Sequence, residues 1–248
     1  MNHAFHIIIP ARMSSSRLPG KLLLEVNGQS ILEHVYRQAC LAYPKSLTIA
    51  TDDERIFKIA QSFGANVVMT SSTHQSGTDR VAEAARLLGI GAGEIIVNVQ
   101  GDEPQMPTEL MVQVAGLLED KNHDWATLYW PIEQILDWQN PNCVKVVMTE
   151  DEKALYFSRS PIPYYRERPK ALPKAYRHIG LYAYRNESLQ RFVQAPMSDL
   201  EQLECLEQLR ALSIGMQIRL QQALTMPGQD INTLEDFERF SKLGEHCD

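Results

Sequence analysis

The first half of the chain alternates short apolar runs with amphipathic stretches. Four runs rich in β-branched residues predict buried strands, at residues 7–9, 47–50, 66–70 and 94–99. Three stretches with apolar residues at helical spacing follow the first three runs, at residues 31–36, 56–63 and 81–88. Ser30 is the expected N-cap of the first helix, and Gly64 is expected to end the second. Repeated strand–helix units predict an α/β fold with a parallel sheet and right-handed crossovers.

The second half lacks this regular alternation. Strands are predicted at residues 126–131, 144–148, 178–184 and 217–223. Helices are predicted at residues 200–212 and 233–243. Residues 158–169 are rich in Arg, Tyr and Pro, which predicts an extended segment. We expect this half to supply a smaller lobe or a subunit contact.

Composition and charge narrow the class of protein. The 248 residues can bury a large core, and 44% of them are hydrophobic, as in ordinary globular proteins. The net charge of −7 argues against a nucleic-acid partner, which requires a positive surface. The four cysteines form no Cys-x-x-Cys pair, and no apolar run is long enough to span a membrane. We therefore expect a cytoplasmic protein.

A cationic loop follows the first predicted strand. Between Pro10 and Lys21 it carries Arg12, Arg17, Lys21, three serines and Gly20. Loops at the carboxyl ends of strands are the usual ligand sites of α/β sheets, and three nearby cations are best explained by a bound polyanion. The alternative is a solvated basic loop without a ligand.

Two common phosphate-binding motifs are absent from this loop. A P-loop requires Gly, four further residues and then Gly-Lys-Ser/Thr, but Ser15 and Leu22 occupy two of the required positions. The dinucleotide fingerprint Gly-x-Gly-x-x-Gly is also missing. These absences argue against a P-loop ATPase and a dinucleotide-dependent dehydrogenase.

Two further segments combine polar groups with strand or helix ends. Gln100-Gly101-Asp102 follows the fourth strand, where a carboxylate facing a cationic loop suits a magnesium ion on phosphate. Residues 74–80, His-Gln-Ser-Gly-Thr-Asp-Arg, precede a helix and offer hydroxyl and backbone N–H groups to an anion or a base. The alternatives are a plain Gly-Asp turn and a helix cap made by Ser76 or Thr78.

The chain resembles the 3-deoxy-manno-octulosonate cytidylyltransferase family. The resemblance rests on residues 10–21, 74–80 and 98–104, and on later matches at residues 140–142, 154–159, 177–182 and 206–210. It runs nearly end to end, whereas the CMP-sialate synthetases share only the first loop. The implied fold is an open, mostly parallel, Rossmann-like nucleotide-diphospho-sugar transferase sheet with a smaller lobe. Residues 1–125 would mainly bind nucleotide, residues 126–225 would serve sugar binding and dimerisation, and residues 226–248 would form a closing helix, all in a single domain.

The resemblance also implies an activity and a set of site residues. The family joins CTP to an eight-carbon sugar acid, with Mg²⁺, as a cytosolic homodimer serving lipopolysaccharide synthesis. The implied nucleotide-binding residues are Pro10, Ala11, Arg12, Arg17, Lys21, Ser76, Gly77, Thr78, Arg80 and Gln100. The implied sugar-binding residues are Arg159, His178, Tyr182, Glu207 and Gln208. Arg12, Lys21 and Asp102 would be catalytic, and Asp102 would also bind the metal.

One segment departs from the family pattern. The family's Val-Asp-Thr-Pro-Glu-Asp is here Ile231-Asn232-Thr233-Leu234-Glu235-Asp236, so Asn232 replaces a metal-binding aspartate. Asp230 lies on the same face of an extended segment and is the expected substitute ligand. This change motivates two alternatives: the 8-amino analogue of the sugar, and a nucleotide-binding regulator without activity. Another sugar acid, such as sialate, is a separate alternative.

Overall fold

The computed structural model describes residues 4–13 and 17–244. Its strands are β1 (Phe5–Ala11), β2 (Glu25–Val26), β3 (Gln29–Ser30), β4 (Ser46–Thr51), β5 (Asn66–Met69), β6 (Ile95–Asn98), β7 (Trp125–Pro131), β8 (Lys145–Met148), β9 (Ala154–Ser158), β10 (Tyr176–Arg185) and β11 (Ile218–Gln222). Its α-helices are α1 (Ile31–Cys40), α2 (Glu54–Ser62), α3 (Gly77–Leu87), α4 (Thr108–Gly116), α5 (Ile135–Gln139), α6 (Asn186–Gln194), α7 (Asp199–Glu204), α8 (Gln208–Ser213) and α9 (Leu234–Gly244). A short 3₁₀ helix, Lys21–Leu23, ends the cationic loop.

Contacts within the chain divide it into two compact units. The first unit combines Met1–Val112 with Pro227–Asp248, and the second is Gln113–Met226. In the first unit, four strands form a parallel sheet in the order β6-β1-β4-β5. This arrangement confirms the predicted α/β class. The predicted functional boundaries at residues 125 and 225 stay a prediction.

Strand β1 lies at the centre of the first unit's sheet. Its Ile7 pairs in parallel register with Leu47 of β4 on one side and with Val97 of β6 on the other. Ile7, Ile8 and Ile9 are fully buried, as expected for a parallel strand covered on both faces. Because parallel strands end at one edge, the segments after β1, β4 and β6 meet there.

Two local signals in the first unit behave as predicted, whereas a hairpin and helix α4 were not predicted. The Ser30 hydroxyl accepts the Glu33 N–H at 3.2 Å and caps α1. Gly64, with φ of 80°, follows α2 as expected of a C-terminal glycine. The sequence analysis missed the β2–β3 hairpin, whose turn is Asn27-Gly28 with both φ angles positive. This dipeptide is the usual signal for such a turn.

The second unit contains a sheet of mixed direction. Strand β7 pairs in parallel with β11 and antiparallel with β10, while β8 pairs antiparallel with both β10 and β9. Trp125 is its largest fully buried side chain, and its ring lies 4.7 Å from that of Phe192. Strand β9 and helices α5 and α6 were not predicted. The continuous helix predicted for residues 200–212 is wrong, because Cys205 adopts a left-handed conformation (φ 51°) and separates α7 from α8.

Candidate active site

The ammonium group of Lys21 joins three parts of the first unit. It donates to the Asp102 carboxylate after β6, and to the Ile231 carbonyl at 2.8 Å and Asn232 Oδ1 at 3.2 Å before α9. The backbone fixes the same junction, since the Ile231 N–H donates to the Asp102 carbonyl at 2.9 Å. Segments far apart in sequence therefore meet at the carboxyl edge of the parallel sheet.

The cationic loop has a second contact with Asn232. Arg17 Nη2 donates to Asn232 Oδ1 at 2.8 Å, and Asn232 Nδ2 donates in turn to the Asp230 carboxylate. Arg12 is exposed at the end of β1. The three serines of the loop, residues 14–16, lie outside the described residues. The structure thus brings the predicted metal residues Asp102, Asp230 and Asn232 together with two of the predicted triphosphate-binding cations.

Glu103 adds a carboxyl group that the sequence analysis did not single out. Its Oε2 atom is buried and has no hydrogen-bond partner among the described residues. Burial, together with the neighbouring charges of Asp102 and Asp230, raises the pKa of Glu103 to about 8. Lys21 opposes this shift only in part. Negative charge is therefore crowded at this edge of the sheet.

Two glycines allow a close approach of the segments around Pro10. A Cβ atom built on Gly101 would lie 3.2 Å from the Pro10 carbonyl oxygen. A Cβ atom on Gly77 would lie 3.4 Å from Pro10 Cγ and 3.9 Å from Gln100 Oε1. Of the predicted nucleotide-binding residues, Pro10, Gly77 and Gln100 therefore share one location, and any side chain at Gly101 would crowd it.

The start of α3 is fixed by its own side chains. Ser76 Oγ accepts the Asp79 N–H at 3.1 Å, which confirms the capping alternative for Ser76. Arg80 is buried and donates to Asp52 at 2.8 Å and to Thr70 at 2.5 Å, the segments after β4 and β5. Thr78 is buried as well. The guanidinium of Arg80 thus anchors the helix to the sheet edge, and nucleotide contacts by these residues stay a prediction.

In the second unit, Arg159 is held by backbone carbonyl groups. Its guanidinium donates to the Glu204 carbonyl at 2.6 Å, the Pro141 carbonyl at 3.0 Å and the Cys205 carbonyl at 3.3 Å. The Glu204 carboxylate accepts the Arg159 N–H at 2.9 Å and the Ser158 hydroxyl at 2.5 Å. The left-handed residue Cys205 thus places α7 against the end of β9.

Lys145 is a buried lysine that contacts the backbone of Arg159. Lys145 has no exposed surface, and its ammonium donates to the carbonyls of Asn140 at 2.8 Å, Cys143 at 2.6 Å and Arg159 at 2.8 Å. Burial lowers the pKa of Lys145. Three carbonyl acceptors use all three of its protons, so this side chain fixes the turn before β8 to the end of β9.

Two predicted sugar-binding rings are neighbours on β10. The rings of His178 and Tyr182 lie 5.2 Å apart, and burial, with Arg177 nearby, lowers the pKa of His178 to about 3. Tyr182 Oη is buried without a hydrogen-bond partner among the described residues. Burial, with Tyr184 and Glu207 nearby, raises the pKa of Tyr182. Glu207 and Gln208 stand at the start of α8, so the structure gathers these residues in one unit.

Comparisons with known proteins show the family of this chain. A cytidylyltransferase family model matches residues 6–218. A 3-deoxy-manno-octulosonate cytidylyltransferase from Legionella pneumophila (strain Corby) is 55% identical, over 95% of this chain and 94% of its own. The chain belongs to the 3-deoxy-manno-octulosonate cytidylyltransferase family. The member of this family from Cellvibrio japonicus (strain Ueda107) is 45% identical, over 98% of both chains.

A solved structure from the same family supports both the fold and the resemblance. It is described as CMP:2-keto-3-deoxy-manno-octonic acid synthetase complexed with CTP. It is 40% identical to this chain, with a TM-score of 0.88, and the match covers 96% of this chain and 98% of the other. Fold class and family, both predicted from the sequence, are therefore confirmed.

The carboxyl edge of the first unit suits the magnesium ion that this family implies. Mg²⁺ in nucleotide sites is held by one or two carboxylates, with phosphate oxygens and water completing its shell. Asp102 and Asp230 supply two carboxylates. Asn232 lies between them, because it accepts from Lys21, which also contacts Asp102, and donates to Asp230. In residues 4–13 and 17–244, no cluster of three or more His, Cys, Asp or Glu suits a metal. No described helix is long and apolar enough to cross a membrane.

Proposed function

We propose that this protein transfers the cytidylyl group of CTP to 3-deoxy-manno-octulosonate, giving the CMP-sugar and pyrophosphate for lipopolysaccharide synthesis. One observation carries the proposal: Lys21, Asp102 and Asn232 converge at the carboxyl edge of a parallel sheet, in a chain 55% identical to a relative of that name. We place the reaction in the cytoplasm.

The cations of the first loop would bind the triphosphate. Arg12 is exposed, Arg17 contacts the neutral amide oxygen of Asn232, and Lys21 contacts the carboxylate of Asp102. A triphosphate would offer these cations more anionic oxygens than they now contact. Lys21 occupies an oxygen of Asp102, and a triphosphate would offer this ammonium a second anionic partner. Asp102 would then be released to the metal site formed with Asp230 and Asn232.

The reaction requires orientation and charge stabilisation rather than a covalent enzyme intermediate. The anomeric hydroxyl oxygen of the sugar bonds to the α-phosphorus, and the bond from this phosphorus to the oxygen that bridges to the β-phosphate breaks. Pyrophosphate leaves with that oxygen, and the hydroxyl proton passes to water. Lys21, Arg12 and Arg17 would stabilise the charge on the departing pyrophosphate, and such positioned charges are a major source of catalysis. Bound Mg²⁺ would supply further phosphate neutralisation and would lower the pKa of a hydroxyl beside it.

The sugar would bind to the second unit. Arg159, His178, Tyr182, Glu207 and Gln208 all belong to this unit, and the buried Tyr182 hydroxyl lacks a partner among the described residues. A buried unpaired hydroxyl is costly, and a substrate hydroxyl would relieve that cost.

We also propose a homodimer. Met197, Leu200 and Leu203 are exposed apolar residues within and just before α7, and such clusters mark contacts between chains.

A product assay with purified protein, CTP and Mg²⁺ tests the activity. We expect pyrophosphate release to require 3-deoxy-manno-octulosonate and to stop when excess EDTA is added. CTP binding without turnover on any sugar acid would favour the regulator alternative. Turnover on sialate alone would move the protein to another substrate class.

Asn232 keeps the 8-amino analogue of the sugar as a second candidate. Replacing the family's aspartate with an amide removes a negative charge beside the metal residues, and this could alter which sugar charge is preferred. Parallel assays with both sugars decide between them. A preference of at least about tenfold for the plain sugar removes the second candidate.

A further inference from the structure

Thr127 of β7 lies at the centre of a buried hydrogen-bond cluster. The residue has no exposed surface and pairs with Tyr182 across the β7–β10 ladder. Its Oγ1 atom lies 2.9 Å from the Ile179 carbonyl, 2.8 Å from the Leu181 carbonyl and 3.0 Å from His178 Nε2. The register of β7 and β10 shifts between Ile179 and Tyr182, and this shift brings both carbonyl groups to the same hydroxyl.

The three partners fix the direction of each hydrogen bond. A threonine hydroxyl has a single proton to donate, and carbonyl oxygens can only accept. The proton must therefore go to Ile179 or Leu181, since the opposite arrangement would point hydroxyl lone pairs at both carbonyl oxygens. Thr127 is left as the acceptor for His178, so His178 Nε2 carries a proton.

The other nitrogen of His178 is then unprotonated. Burial lowers the pKa of His178 to about 3, so the imidazole is neutral at pH 7 and Nδ1 keeps its lone pair. Nδ1 has no hydrogen-bond partner among the described residues, and the residue as a whole is only partly buried. Phe157, 5.0 Å away at 80°, and Tyr182 border the ring and hold its orientation.

We propose that Thr127 is a positioning residue that fixes the tautomer of His178, so that Nδ1 accepts a hydrogen bond from a sugar hydroxyl. This inference rests on the proposed function and deepens it. A neutral acceptor nitrogen cannot bind the carboxylate of the sugar acid, because both groups would present lone pairs. His178 therefore recognises a hydrogen-bond donor on the sugar, and the carboxylate must be bound by other residues.

Nuclear magnetic resonance of the imidazole nitrogens tests the tautomer directly. In the wild-type protein at pH 7.5 we expect His178 to show a protonated Nε2 and an unprotonated Nδ1. Thr127→Ser should keep this pattern, whereas Thr127→Val should convert it to a mixture of tautomers. A protonated Nδ1 or an imidazolium in the wild-type protein would overturn the proposal. This spectrum needs no substrate, so it is informative even if the protein proves inactive.

Steady-state kinetics test the consequence for the sugar. We expect Thr127→Val to raise KM for the sugar by about tenfold, the equivalent of one hydrogen bond, while KM for CTP changes less than about twofold. Thr127→Ser should restore the sugar KM to within about threefold of wild type. Equal KM values for the sugar in Thr127→Val and wild type would refute the positioning role. If Thr127→Val does not fold, the wild-type spectrum and Thr127→Ser still decide the outcome. Absence of turnover in the wild-type protein would instead count against the proposed function.

Discussion

Asp102 and Asn232 are held by the same ammonium group, that of Lys21. Lys21 and Asn232 are 211 positions apart in the sequence. The contact between Lys21 and Asp102 partly neutralises the carboxylate that we predict to bind the metal. Lys21 is largely buried, with 11% of its side chain exposed, so water screens the pair only weakly. Lys21 therefore offsets part of the negative charge at this edge, and in the proposed function it exchanges this aspartate for a phosphate.

Asp102→Ala tests the catalytic importance of this balance. We expect turnover to fall by at least about a hundredfold, because Lys21 loses its acidic partner and the proposed metal site loses a carboxylate. Circular dichroism should show an unchanged fold. The matched control is Asp151→Ala, which removes an exposed aspartate paired with Lys153 and should leave turnover unchanged. Near-normal turnover of Asp102→Ala would contradict the metal and catalytic roles.

Part of this site could be predicted from the sequence. The Arg12–Lys21 loop and Asp102 each follow a buried strand, and the carboxyl ends of parallel strands share one edge. The pairing of Lys21 with Asn232 could not be predicted, because it depends on a distant segment returning to the sheet. Thr127 was also missed, since its three contacts arise from the register of β7 and β10, which the hydrophobic pattern does not encode.

At the scale of elements, the break between α7 and α8 could not be predicted from the sequence. The apolar spacing of residues 200–212 suits one continuous helix, but Cys205 has φ of 51° and redirects the chain. The carbonyl groups of Glu204 and Cys205 are thereby free to accept from Arg159. Side-chain periodicity continues across such a break, and only a glycine would have revealed it.

Cys205→Gly should stabilise the protein. A left-handed backbone costs an ordinary residue about 1 kcal/mol and costs glycine nothing, although glycine loses more entropy on folding. We expect a net gain of roughly 0.5 kcal/mol in the free energy of unfolding, measured with urea. The same substitution at Cys40, an exposed residue at the end of α1, should instead destabilise by about 0.3 kcal/mol. Destabilisation by Cys205→Gly would contradict the strain at this position.

At the scale of the whole molecule, the proposed dimer contact involves the most exposed large apolar residue in the part of the chain that the structure describes. Leu203 exposes 81% of its surface, and Met197 and Leu200 are also exposed. The apolar composition of this region could be predicted from the sequence as a helix face. Which part of that face stays uncovered could not, because it depends on the break at Cys205.

Leu203→Glu should dissociate the proposed dimer. A charge placed in an apolar contact loses hydration without gaining a partner, and this cost opposes association. Sedimentation should give about twice the chain mass of 28.2 kDa for the wild type and 28.2 kDa for the variant. Leu41→Glu, at an exposed residue of the first unit, should leave the mass of the wild type unchanged. A wild-type mass of 28.2 kDa would refute the dimer.

The first unit is completed by a segment that follows the second unit in the sequence. Ile231 is buried with Val26 and Ile31, and Phe237 and Phe240 pack against this cluster. During translation, the ribosome therefore releases all of Gln113–Met226 before the residues that close this cluster emerge. A nascent chain cannot yet join Lys21 to Asn232, so the order of synthesis delays assembly of the proposed CTP site until residues 227–244 have emerged.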